Sequence, residues 1–297
     1  MPELPEVETM RRGLTPVVGC RIDDVIRPPC RLRPISLRPG IAAFARRATG
    51  RHVTAIGRRG KRVLIDLDDK QTIVIEPRMT GLVLLADPPG TEHLRLCFEL
   101  SADGKKDKPR RLMFWDRRGL GTVRLLTSSR FAAEIDSRLG VDALTITRDQ
   151  LREKLCRSRR AIKVALLDQS AVAGIGNLYA AEILFLAGVD PRTRCDKLTG
   201  PQWDRIARHI AVVLLDAIAH EGSTLSDGTY RNALNDPGGY QNCHRVYDRA
   251  DLPCLRCESG VIRRVVQAQR GTFFCPVCQR KSGRHAAVSQ NSVSPDA

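Results

Sequence analysis

Up to about residue 130, apolar positions come in short runs of β-branched and aliphatic side chains, the pattern of strands rather than helices. The runs RVLIDLDD, QTIVIE, GLVLLAD, HLRLCFEL, RLMFWD and GTVRLL are separated in places by turn signals such as DPPGT and SADGKKDKPR. This spacing predicts an antiparallel β-sandwich or barrel. Two helices accompany it, one over Val7–Leu14 and one in IAAFARRATG that ends at Gly50.

From about Thr147 the period lengthens to that of helices. Thr147-x-x-Gln150 is a capping-box pattern, and Leu151, Leu155, Ile162 and Leu166 supply apolar positions. In LTGPQWDRIARHIAVVLLDAIAHEG, residues Trp203, Ile206, Ile210, Val213, Leu214 and Ala217 line one face. Pro201 sits at its start and Gly222 stops it. Ser223–Tyr240 carries Gly, Asn, Asp and Pro and reads as a long loop, a class usually functional or disordered. Residues after Lys281 are polar and small and are expected to be disordered.

Composition adds a partner to this picture. A chain of 297 residues suffices for two domains and a smaller module. Lys and Arg number 49 against 33 acidic residues, a formal charge of +16, with arginine pairs at Arg58-Arg59, Arg117-Arg118, Arg159-Arg160 and Arg263-Arg264. That excess points to a polyanion, most simply nucleic acid. It is spread along the folded segments and so is not a detachable basic arm. No apolar run approaches a membrane span. Ten cysteines without a secretory signal predict a reducing cytoplasm. Six of them (Cys20, Cys30, Cys97, Cys156, Cys195, Cys243) fall at irregular spacing, as small buried hydrophobes or surface thiols do.

The other four carry chemistry. Cys254-x2-Cys257-x17-Cys275-x2-Cys278 forms two knuckles at the spacing of a tetrahedral four-cysteine zinc site, with disulfides or a redox CxxC as the competing readings. The intervening SGVIRRVVQAQRGTFF reads as strand, turn, strand, so the metal staples a hairpin and aims Arg270 at a phosphate. Gly174 and Gly176 precede a helix starting near Asn177, where free N–H groups suit an anion; the third glycine of a dinucleotide fingerprint is missing. Lys61 follows a glycine at the start of a strand, where a lone lysine is usually solvated. The N-terminus, MPELPEVETM, surrounds Pro2 and Pro5 with Glu3, Glu6 and Glu8. Removal of Met1, normal before a small residue, leaves Pro2 as a secondary amine, and α-amino groups titrate near ~8. Such an amine is a nucleophile at neutral pH.

PELPEVET at Pro2–Thr9, RRGKRVLI at Arg58–Ile65, GIGNLYAAE at Gly174–Glu182, AQRGTFFC at Ala268–Cys275 and the four cysteines together resemble the bacterial formamidopyrimidine-DNA glycosylases, within a group that includes the endonuclease VIII-like enzymes. The resemblance implies a mixed α and β fold: an N-terminal antiparallel β-sandwich (2–130), a linker (131–150), a helix–two-turn–helix domain (151–242) with a lesion loop at 223–240, a zinc-finger β-hairpin (243–281) and a tail (282–297). It implies one structural zinc ion on Cys254, Cys257, Cys275 and Cys278, and a monomer acting on damaged double-stranded DNA at the nucleoid. Pro2 is then the nucleophile, Glu3 the acid/base partner, Glu6 a positioning carboxylate, and Lys61, Asn177 and Arg270 the phosphate contacts. Met79 fills the void left by a flipped nucleotide. Where the family commonly has Asp-Pro-Arg-Arg-Phe-Gly this chain has Asp116-Arg117-Arg118-Gly119-Leu120-Gly121, so Arg118 faces the orphaned base and Leu120 replaces an aromatic wedge. The expected reaction is excision of oxidised purines with strand cleavage. An endonuclease VIII-like enzyme for oxidised pyrimidines and a non-catalytic DNA-binding protein are the rivals.

Overall fold

The computed structural model describes residues 2–102, 108–225 and 228–280. Met1 and the tail 282–297, whose trimming and disorder the sequence predicts, lie outside the described residues. The first half runs α1 (Leu4–Gly13), β1 (Arg21–Ile26), β2 (Ser36–Arg38), α2 (Ile41–Ala48), β3 (Val53–Arg59), β4 (Arg62–Leu67), β5 (Gln71–Glu76) and β6 (Gly81–Leu84). It continues with β7 (Leu94–Ser101), β8 (Arg111–Asp116), β9 (Thr122–Thr127) and α3 (Ser128–Glu134). The second half runs β10 (Val141–Asp142), α4 (Arg148–Leu155), α5 (Ile162–Leu166), β11 (Val172–Ala173), α6 (Asn177–Leu186), α7 (Gly200–Ala219), β12 (Arg263–Gln267) and β13 (Arg270–Phe274).

Among the described residues, two sheets form the sandwich, ordered β1-β7-β8-β6 and β2-β9-β5-β4-β3. Pairing is antiparallel except at the edge, where β2 runs parallel to β9. Alternation in β4 turns Val63, Ile65 and Leu67 inward, onto a core shared with Phe98, Phe114 and Leu125. The strands β1 and β3 escape a period-two reading because each is bulged, between Ile22 and Asp24 and between Val53 and Ala55. A bulge resets the alternation of inward and outward side chains. Within 131–150, read as a linker, Phe131–Glu134 belong to α3, and Val141 and Asp142 pair with Val172 and Ala173.

Helix α1 starts three residues before the apolar pattern does, because Glu6 at its third position accepts the Glu3 N–H at 2.8 Å. It then serves two cores. Leu4 packs with Ile175, Tyr179 and Ile183 of the helical half, whereas Val7, Met10 and Leu14 belong to the sandwich. On the far side of α6, Ala181 and Phe185 pack against Val246, Ile262 and Phe273, which docks the terminal hairpin. One buried helix thereby touches the helical core and the hairpin, and its N-terminus points at residue 3.

Candidate active site

Pro2 and Glu3 are buried where the N-termini of α1 and α6 meet. Glu3 Oε1 accepts the Leu178 N–H at 3.0 Å, a free donor in the first turn of α6 that also carries the positive end of the helix dipole. The other oxygen, Oε2, is buried without a protein donor. This approach requires Gly176, since a Cβ there would stand 2.2 Å from the Glu3 carboxyl carbon. Glu6 accepts the Ser223 N–H at 2.9 Å and the Tyr179 hydroxyl in addition to the Glu3 N–H. Burial, and then the neighbouring Glu3, push the Glu6 carboxyl above its ordinary value despite these donors.

Lys61 occupies the β3–β4 turn, half-buried. Burial lowers its ammonium pKa, Glu3 pulls it back up, and Arg270 lowers it further, so the two sequence-distant cations share one region. The turn is fixed by its neighbours. Arg58 donates to Glu8 at 3.1 Å and to Asp142 at 2.7 Å, and the Gly60 N–H donates to Asp142 at 3.2 Å. Arg58 thus faces inward as a brace and is spent on carboxylates rather than presented to a partner.

Asn177 opens α6, and its Nδ2 donates to the Gly271 carbonyl at 3.1 Å. Between them stands Lys163, which is 1 % exposed and which the pattern reading passed over. Its ammonium donates to Asn177 Oδ1 at 2.6 Å, Gly271 O at 2.9 Å and Thr272 Oγ1 at 2.8 Å, while burial lowers its pKa to about 8. The signal was present: a lysine flanked by Ile162, Ala165 and Leu166 in an otherwise buried turn. Arg270 is exposed beside this knot, following a hairpin turn in which Ala268 and Gln269 both have positive φ.

A cavity of about 340 Å³ joins these parts, lined by Glu3, Glu6, Met79, Asn177, Ser223, Tyr247 and Arg270 among others. Met79 sits half-buried between β5 and β6. Arg118 and Leu120 lie on the β8–β9 loop and are not among the lining residues, but the loop is tied to the Met79 turn. Asp116 accepts the Thr80 hydroxyl at 2.6 Å, and Thr80 accepts the Arg118 N–H at 3.0 Å. Motif reading gave no role to Ser223, Tyr179 or Tyr247; the fold brings the first two onto Glu6 and the third to the cavity. The buried Glu182 carboxylate accepts the N–H groups of Arg245, Val246 and Tyr247, which places Tyr247 at the cavity.

The sulfurs of Cys254, Cys257, Cys275 and Cys278 lie within 4.8 Å of one another, with two pairs at 3.7 Å. Zn–S bonds of ~2.3 Å in a tetrahedron give S···S edges of ~3.8 Å, whereas a disulfide needs ~2.05 Å. The four thiols fit one structural zinc ion and leave no coordination position open for reaction. Gly260 is required beside them, since a Cβ there would meet Cys275 Sγ at 2.7 Å.

Residues 1–123 match the formamidopyrimidine-DNA glycosylase N-terminal domain, residues 139–229 its H2TH domain, and residues 251–281 a zinc finger found in FPG and IleRS. Formamidopyrimidine-DNA glycosylase of Chloroflexus aggregans is 43% identical over 282 residues, covering 94% of this chain and 98% of that protein. The chain belongs to the formamidopyrimidine-DNA glycosylase family. The Bacillus subtilis member is 39% identical over 95% of this chain and all of its own length. Among solved structures of the family, the MutM (Fpg) protein of Thermus thermophilus aligns with a TM-score of 0.80 at 37% identity, covering 94% of this chain and 98% of that one. A Lactococcus lactis Fpg mutant bound to DNA containing Fapy-dG aligns at 0.82 with 31% identity, over 94% of this chain and all of the other. Among the described residues no helix is long and apolar enough to cross a membrane.

Proposed function

We propose that this family member excises oxidised purines, formamidopyrimidines and 8-oxoguanine, from duplex DNA and then cuts the strand, with Pro2 as the nucleophile. The observation that carries this reading is the burial of Glu3 at the cavity wall, next in the chain to buried Pro2, with one Glu3 oxygen fixed by Leu178 N–H and the other unpartnered. In the reaction the Pro2 nitrogen bonds to C1′ of the flipped nucleotide, and the N-glycosidic bond breaks with its electron pair and a proton leaving on the base. Glu3 protonates the ring oxygen as the sugar opens to the iminium, then takes up protons as elimination expels the flanking phosphates. Glu6, held by three donors, keeps the Glu3 backbone and hence Pro2 in place. Lys61, Asn177 and Arg270 fix phosphates beside the lesion. Met79, Arg118 and Leu120 enter the space that the nucleotide vacates.

The loop Ser223–Tyr240 favours purine lesions over the pyrimidine alternative, as a cover for the flipped base. Tyr230 and Ala233 of this loop pack into the sandwich core, whereas 226–227 lie outside the described residues. Use as a passive DNA-binding protein leaves the paired carboxylates at the N-terminus without purpose. We place the enzyme as a monomer at the nucleoid of a reducing cytoplasm, in keeping with ten cysteines none of which forms a disulfide among the described residues. Borohydride reduction during turnover on a duplex with one 8-oxoguanine tests the assignment. A covalent adduct on the N-terminal peptide is expected, and an adduct on Lys61 overturns it.

A further inference from the structure

We propose that Arg95 is a positioning residue for the β8–β9 loop and so sets how strongly the enzyme discriminates the base opposite the lesion. This rests on the reading above that Arg118 and Leu120 enter the duplex. Arg95 lies on β7 and is 3 % exposed. Its strand is bulged between Leu94 and Leu96, and a bulge re-aims the side chain that it carries. Among the described residues the re-aimed guanidinium meets no carboxylate. Nε donates to the Asp116 carbonyl at 2.8 Å, Nη2 to the Arg117 carbonyl at 3.4 Å, and Nη1 to Cys30 Sγ. A guanidinium is thus buried against two consecutive backbone carbonyls, the last of β8 and the first of the loop. Burying a cation without a carboxylate partner is unfavourable, so the arrangement implies a use for the rigidity.

The far end of the same loop is held from the opposite side. The Asp116 carboxylate accepts the Gly121 N–H at 2.7 Å and the Arg118 N–H at 3.2 Å. Gly119, at φ +61, packs so closely on the Arg33 carbonyl that a Cβ would stand 2.1 Å from its oxygen. Residues 117–121 therefore have fixed ends and a fixed middle, with Arg118 and Leu120 projecting between the clamps. At the far end the Ser36 N–H of β2 holds the Gly121 carbonyl at 3.1 Å, and Arg95 is the side chain that holds the carbonyls of Asp116 and Arg117, just before Arg118. Without it the loop keeps its carboxylate tether but loses the orientation of the peptide planes just before Arg118.

Single-turnover excision of 8-oxoguanine opposite cytosine and opposite adenine tests the proposal, together with borohydride trapping on single-stranded abasic DNA, which offers no opposite base. Arg95→Ala should reduce the cytosine-to-adenine rate ratio at least fivefold and leave single-strand trapping within twofold. Arg95→Gln, which fills similar space and retains an amide donor, is measured in parallel and should give an intermediate ratio; it supplies the comparison if the alanine variant does not fold. Arg118→Ala serves as the reference. If Arg118→Ala erases the ratio while folded Arg95 variants keep it, the positioning role is overturned. Equal loss of trapping and of both duplex rates also overturns it, because Arg95 is then a general structural residue. A ratio that survives Arg118→Ala instead removes the reading on which the proposal rests.

Discussion

The Lys163 ammonium and the Gly271 carbonyl, 108 residues apart in sequence, are joined by a hydrogen bond of 2.9 Å. Asn177 is held by the same ammonium, so one buried cation fixes two predicted phosphate contacts, Asn177 directly and Arg270 through its neighbour. Lys163→Met leaves these acceptors without their donor and should weaken binding of lesion duplex about tenfold, the equivalent of roughly 1.4 kcal/mol. Fluorescence anisotropy checks this. The pH dependence has a definite sign. Burial lowers Lys163 from the ordinary lysine value of 10.5 to about 8. Between these values the unfolded chain holds a proton that the folded chain has released, so this group's contribution to stability rises with pH. Below pH 8 both states hold the proton and the burial penalty is complete. Denaturant unfolding should therefore show wild type gaining on Lys163→Met by about 3 kcal/mol from pH 8 to 10.5.

Gly176→Ala tests the Glu3 geometry without straining the backbone. Gly176 has extended dihedrals, φ −126 and ψ −162, which alanine adopts readily, but its Cβ would occupy the Glu3 carboxyl site. The variant should fold but melt below wild type, because the buried Glu3 carboxyl must give way, and it should lose about a hundredfold in single-turnover rate, the lower range for a displaced acid/base group. Full activity would show that the carboxylate works from another position.

Cys257→Ser removes one of four thiolates whose metal affinity is also folding energy for the hairpin. Metal analysis of wild type should give one zinc per chain, and the variant well under one. Arg270 then loses its support, so DNA binding should fall while the melting of the sandwich is preserved. Circular dichroism and anisotropy separate the two effects.

Salt dependence distinguishes arginines and lysines aimed at DNA from those spent inside the fold. Arg270→Ala and Lys61→Ala should each lower the slope of log K against log salt by about one unit if each removes one phosphate contact. Arg58→Ala should leave the slope unchanged and lower stability, because Arg58 already pairs with Glu8 and Asp142.

Much of this architecture is written in local pattern. The hairpin follows from the spacing of its cysteines, α7 from the stripe that runs from Trp203 to Ala217, and β4 from simple alternation. What stayed illegible has physical causes. The bulges in β1 and β3 scramble the period that marks a strand, and α1 begins early because of a hydrogen bond between two glutamates rather than an apolar face. Motifs exposed Glu3, Asn177 and Arg270 because each lies in a distinctive string. Lys163 and Ser223 reach the centre only through tertiary contacts, which no local window contains, and Tyr179, though inside the same string as Asn177, shows its partner Glu6 only in the fold. Lys163 is the instructive case, since a charged residue inside a buried helical turn is itself a sign that partners wait in the fold.

The cavity brings together Glu3 and Arg270, so almost the whole chain must be made before the centre exists. Domains fold in order as they leave the ribosome, at ~5–20 residues per second. The sandwich core also needs Tyr230 and Ala233, which follow α6, so its packing is completed only after α6 has been made. The centre is thus assembled late in translation, because its walls are drawn from segments more than two hundred residues apart rather than from any one of them.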